Sequence, residues 1–89
     1  MELRDFPVQV IAHVDGDGTV TPLKFRYEDE RSQTHTAQVL KVLKSREVPF
    51  VGVEAQVFQC LVREDEQEQV YELKYAFRIH RWTLLRRIA

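Results

Sequence analysis

The feature that most constrains this chain is a two-residue apolar alternation that runs up to a turn tetrad and resumes beyond it. Phe6, Val8, Val10, Ala12 and Val14 share one face of an extended segment, and Thr19, Thr21, Leu23, Phe25 and Tyr27 share one face beyond Asp15-Gly16-Asp17-Gly18. A period of two marks a half-buried strand, and Asp-Gly dipeptides supply the positive φ that a tight hairpin turn requires. Folding about Gly16-Asp17 sets Phe6 opposite Tyr27, Val8 opposite Phe25, Val10 opposite Leu23 and Ala12 opposite Thr21, all on the same face.

A second hairpin follows the same logic. Phe58, Cys60 and Val62 precede a polar turn at Asp65-Glu66-Gln67-Glu68, and folding there places Val62 opposite Tyr71, Cys60 opposite Leu73 and Phe58 opposite Tyr75. Upstream, Val51, Val53, Ala55 and Val57 occupy the odd positions. The change of parity predicts a β-bulge near Gln56 to Phe58, which would help a short sheet curl. Ile79 to Ile88 reads as a closing strand through Trp82 and Leu84.

The segment from Thr34 to Ser45 admits two readings. Val39, Leu40, Val42 and Leu43 stand at helical spacing with Lys41 and Lys44 opposite and Pro49 as a stop, which fits a short helix over 36–46. Thr34, Thr36 and the valines favour a strand, in which Ala37, Val39 and Leu43 share a face. Both readings bury Val39 and Leu43. With 89 residues and three glycines and three prolines, the chain forms one domain over 1–89. The expected fold is mostly all-β: a small, strongly bent sheet or half-open barrel of about five to six antiparallel strands.

The string Asp17-Gly18, Pro22-Leu23-x-Phe25-x-Tyr27, Val39-Leu40, Val70-Tyr71-Glu72-Leu73 and Trp82-x-Leu84 resembles a group of small bacterial all-β domains of SH3-like barrel size. Those pair a "proline, leucine, x, phenylalanine, x, aromatic" strand with a later tyrosine strand and a closing tryptophan strand. The chain departs from that pattern after Tyr27, where no Gly-Arg turn follows and Thr34-His35-Thr36 replaces an aromatic strand. The resemblance implies a fold and carries no established activity.

Charge is distributed unevenly. Residues 73–89 hold Lys74, Arg78, Arg81, Arg86 and Arg87, five of the 13 basic residues, and none of the 14 acidic ones, within a chain of net charge −1. Such an excess suggests an anionic partner, unless Glu64, Asp65, Glu66, Glu68 and Glu72 neutralise it on neighbouring strands. Tyr75, Phe77, His80 and Trp82 interleave with those cations. Rings beside cations are the physical recipe for single-stranded nucleic-acid binding, with Lys74, Arg78, His80, Arg81, Arg86 and Arg87 as the candidate contacts. The recipe requires exposed rings, and the expected register turns Tyr75 and Trp82 into the core.

Catalytic and metal chemistry find little support. Asp15-Gly16-Asp17-Gly18 looks like part of a calcium loop, yet an EF-hand aligned on Gly18 would start at His13 and close on Lys24, a cation where a bidentate Glu belongs. His13, His35, His80 and Cys60 match no common zinc spacing, and Cys60 shares the core face of Phe58 and Val62. His35 would act as a base only if a nucleophile and an orienting acid converged on it, and no nucleophile or phosphate-loop motif is present. The single cysteine fits a reducing compartment, and Glu2, Arg4, Asp5 and Gln9 interrupt any apolar leader or span. The sequence therefore predicts a cytoplasmic, cofactor-free, non-enzymatic accessory or protein-interaction module with no membrane contact. The expected partner is another protein or a second copy through an edge strand, Ile79 to Ile88. Single-stranded nucleic acid through the basic C-terminal strand is the alternative.

Overall fold

A computed structural model describes residues 6–50 and 53–89. Seven antiparallel strand segments form one sheet: β1 (Phe6–Pro7), β2 (Gln9–Val14), β3 (Val20–Glu28), β4 (Thr34–Phe50), β5 (Val53–Glu64), β6 (Gln67–Ala76) and β7 (Arg81–Arg87), in the spatial order β1-β7-β6-β5-β4-β3-β2. The two ends of that order, β1 and β2, are separated in the chain by Val8 alone. The sheet thus curls until its first and last segments belong to one stretch of backbone, a half-barrel. Among the described residues no helix is long and apolar enough to cross a membrane.

The concave face holds the core. Phe25, Ala37, Phe58, Cys60, Val62, Tyr71, Leu73 and Leu84 are buried there, with Phe6, Val8, Val10, Tyr27, Val39, Val42, Tyr75 and Trp82 packed around them. Trp82 stacks on Phe58 at 5.6 Å and leans on Tyr75 at 4.8 Å between ring centroids, so the tryptophan belongs to the core wall.

Segment 36–46 is strand, not helix. Val39 pairs with Val62 and Val42 with Cys60, but Leu40 and Leu43 each stand as an extra residue on β4. Two bulges three residues apart make the inward positions recur at Ala37, Val39 and Val42, which imitates helical spacing. Leu43 therefore leaves the core and is 43% exposed. Leu23 on β3 and Leu85 on β7 are bulge residues too.

Both hairpins keep the expected strands and change register. Val10, not Val8, faces Phe25, and Phe6 pairs with Leu84 on β7 while its ring meets Tyr27 edge-on at 6.3 Å. In the second hairpin Cys60 faces Tyr71, Phe58 faces Leu73 and Gln56 faces Tyr75, because the turn is the two-residue Asp65-Glu66, with φ of 50° and 65°. Positive φ at both central positions matches the twist of the flanking strands. No bulge interrupts the pairing of β5 with β6. The parity change arises instead because Val57, on the convex side between its cross-strand neighbours Arg46 and Lys74, is also buried, at 3% exposure. Val51 and Gly52, expected to continue that strand, lie outside the described residues.

The expected free edge also moves. Ile79 falls in the turn before β7, and Phe6 and Pro7 cover Leu84 and Thr83. The strand that ends the sheet is β2.

Candidate functional site

Cross-strand registers place side chains in rows on the convex face, since residues directly paired point the same way. One row runs Lys44, Gln59, Glu72, Arg86; the next Arg46, Val57, Lys74, Thr83; the next Val48, Ala55, Ala76, Arg81. Lys41, opposite Leu61 and Val70, extends the face on the other side. Lysines and arginines of β4 therefore stand across the small residues of β5 from those of β6 and β7. The acids on this side are paired: Glu72 accepts from Arg86 Nε at 2.9 Å, and Glu68 lies 3.7 Å from Arg63. A cleft of about 410 Å³ lies between β4 and β7, with Val57 and Gln59 in its floor and Lys44, Arg46 and Arg86 on its walls.

The bulges of β4 add apolar surface to the same strand. Leu40 and Leu43 are 41% and 43% exposed beside Lys41 and Lys44. β4 thus presents leucine and lysine together, twice, at its outer edge of the basic face.

Of the six cations expected to act together, Lys74, Arg81 and Arg86 share the convex face. Arg78 and His80 sit in the turn before β7, where His80 Nδ1 is 3.0 Å from the Tyr75 hydroxyl. Arg87 pairs with Tyr71 and so points to the concave side. Two of the rings divide from the cations as well: Tyr75 and Trp82 line the concave wall, whereas Phe77, in the turn before β7, borders Val48 and Ala55. No signal in the sequence joins Lys41, Lys44 and Arg46 to this set, because only the pairing of β4 with β5 and of β5 with β6 brings them to the same face.

A second cluster closes one rim of the half-barrel. Glu64 ends β5 at 5% exposure, and its Oε2 accepts from the Tyr27 hydroxyl at 2.6 Å while Oε1 accepts from the Tyr71 hydroxyl at 2.7 Å. Gln69 Oε1 lies 2.8 Å from the same Tyr71 oxygen, whose single proton serves one acceptor at a time. His35 stacks on Tyr27 at 5.1 Å, its Nε2 lies 2.7 Å from Asp29 Oδ2, and its Nδ1 lies 3.9 Å from Glu64 Oε2. Asp29 also accepts the backbone N–H groups of Arg31 and Gln33, so one carboxylate shapes the turn and orients the imidazole.

The hydrogen bond to Asp29 raises the His35 pKa above its ordinary value, and the same bond lowers that of Asp29. The hydroxyls and the thiol nearest in the core are held protonated. Burial pushes the Tyr71 hydroxyl up to about 12 and raises Tyr27 further, and both oxygens are engaged with Glu64. Cys60 is buried, its thiol pushed up to about 12 by desolvation, which suppresses the reactive thiolate. Among the described residues no three His, Cys, Asp or Glu side chains gather as a metal site would require. Through Glu64 and the Tyr27–His35 stack, the rim cluster fastens β3, β4, β5 and β6 together. The Asp15-to-Gly18 segment is a hairpin turn, with Thr19 N–H on Asp17 Oδ1 at 2.9 Å and Gly18 at φ 90°.

Compared with protein-family models, curated proteins and solved structures, the chain matches none.

Proposed function

We propose that this domain is a non-enzymatic, cytoplasmic interaction module that takes an extended segment of a partner protein, acidic and apolar in alternation, on the convex face between β4 and β7. The observation that carries this reading is the placing of Leu40 and Leu43 beside Lys41 and Lys44, at the border of a face whose rows continue through Arg46, Lys74 and Arg81. Cations set the attraction and on-rate of such a ligand, while apolar anchors hold it.

Single-stranded nucleic acid suits this face less well. Base stacking needs a ring platform among the cations, and Tyr75 and Trp82 are on the opposite wall.

The reading is tested by fluorescence anisotropy of a labelled peptide alternating Asp or Glu with Leu, against a mixed-sequence DNA single strand. Peptide binding that drops at least tenfold in the Lys44→Glu, Arg46→Glu double variant supports the proposal. Tighter binding of the DNA strand than of the peptide overturns it in favour of the nucleic-acid reading, and no peptide binding at low salt overturns it outright.

A further inference from the structure

We infer that β2 pairs with the β2 of a second copy of this chain, joining two sheets edge to edge about a two-fold axis at Ala12. Val8 N–H reaches the Trp82 carbonyl at 3.5 Å, so the backbone of Val8 addresses β7. Backbone direction alternates along a strand, so the N–H and C=O groups of Val10, Ala12 and Val14 face the same side. Pro22 agrees with this. It stands opposite Ala12, has no N–H to give, and marks that pair as one in which Ala12 turns its polar groups away from β3.

Among the described residues no strand receives those groups along this stretch. β7 begins at Arg81, and the residues before it, 77–80, form a turn, so the half-barrel closes at Val8 and stays open from Val10 to Val14. Exposed sheet edges are commonly protected against pairing by Lys, Pro or inward charge. From Val8 to Val14 there is no Lys, Arg, Asp, Glu or Pro. Ile11 and Val14 are each 61% exposed, and the bulged Leu23 beside Ile11 is 46% exposed.

The edge is complementary to itself. Antiparallel pairing centred on Ala12 sets the smallest side chain of the strand on the axis and Val10 of one copy against Val14 of the other. Each of these pairs exchanges two N–H···O bonds, and the Val10–Val14 pairs are β-branched on both strands. No like charges oppose one another. This inference is independent of the convex-face reading, because no residue of β2 lines the cleft between β4 and β7.

Sedimentation velocity of the full chain from about 10 μM to about 1 mM tests it, the range suiting an interface shorter than a standard one. Amide exchange at Val10, Ala12 and Val14 is followed by NMR over the same range. Two variants accompany it: Ala12→Pro removes an outward N–H, and Ile11→Lys places like charges across the axis without altering the backbone. The native chain is expected to double in mass as those amides slow their exchange, while Ile11→Lys, and Ala12→Pro where it folds, remain monomeric. A monomer mass throughout, or a dimer that survives Ile11→Lys with the amides still exchanging freely, would overturn the inference.

Discussion

The Tyr27 hydroxyl donates a 2.6 Å hydrogen bond to Glu64 Oε2, fastening the end of β3 to the end of β5 across 37 residues of chain. A buried carboxylate is costly unless its oxygens are satisfied, and Glu64 is satisfied by two tyrosines from different strands. Tyr27→Phe keeps the ring stack and removes the donor. It is expected to cost about 1–3 kcal/mol in urea unfolding. Tyr75→Phe, whose hydroxyl meets His80 at an exposed site, is expected to cost less.

The Asp29–His35 pair gives stability a pH dependence with a definite sign. His35 has a raised folded-state pKa, so its contribution is complete below its ordinary value of 6.5 and is lost as pH climbs through the folded value. Asp29 has a lowered one, so its contribution is present above its ordinary value of 3.8 and is lost as pH falls through the folded value. The pair stabilises most between those two ordinary values. Urea midpoints at pH 5.5, 7 and 8.5 should fall for the native chain, and His35→Gln should flatten that trend.

Glu66 occupies the second turn position between β5 and β6 at φ 65°, a conformation that penalises a side chain. Glu66→Gly is expected to stabilise the domain by about 0.5–1 kcal/mol. A destabilised variant in thermal unfolding would show that the Glu66 side chain makes a compensating contact.

Two leucines separate core from bulge. Leu73 is fully buried between Phe58 and Leu84, and Leu73→Ala is expected to cost about 2–5 kcal/mol. Leu43→Ala, at a bulge 43% exposed, should stay within about 0.5 kcal/mol of native while weakening peptide binding. Equal losses in chemical denaturation would mean that the bulge leucine is structural.

Alternation alone identified the strands flanking the two hairpin turns and the core-facing positions of Phe25, Phe58 and Cys60, because those residues sit where pleat and core agree. Register was less legible. A two-residue turn at Asp65-Glu66 and the Leu23 bulge shift pairings by one or two residues without disturbing the pattern within each strand. The helix alternative for 36–46 arose from the bulges at Leu40 and Leu43, which produce an inward spacing of three in a strand. The C-terminal cations were visible as a charge excess. Their partners Lys41, Lys44 and Arg46 were not, since only long-range pairing of β4 with β5 brings them to the same face. The Asp29, His35, Glu64 convergence was equally hidden, as its members come from a turn and two strand ends far apart in sequence.

The convex face is tested most directly by ¹⁵N chemical-shift mapping of the native chain titrated with the alternating acidic and leucine peptide, at low salt and at 1 M salt, where screening acts within about 3 Å. The expected result is a set of shifts centred on Lys41, Leu43, Lys44, Arg46, Gln59 and Lys74 that recedes at high salt. Shifts confined to the concave rim around His35 and Glu64, or insensitive to salt, would contradict the account.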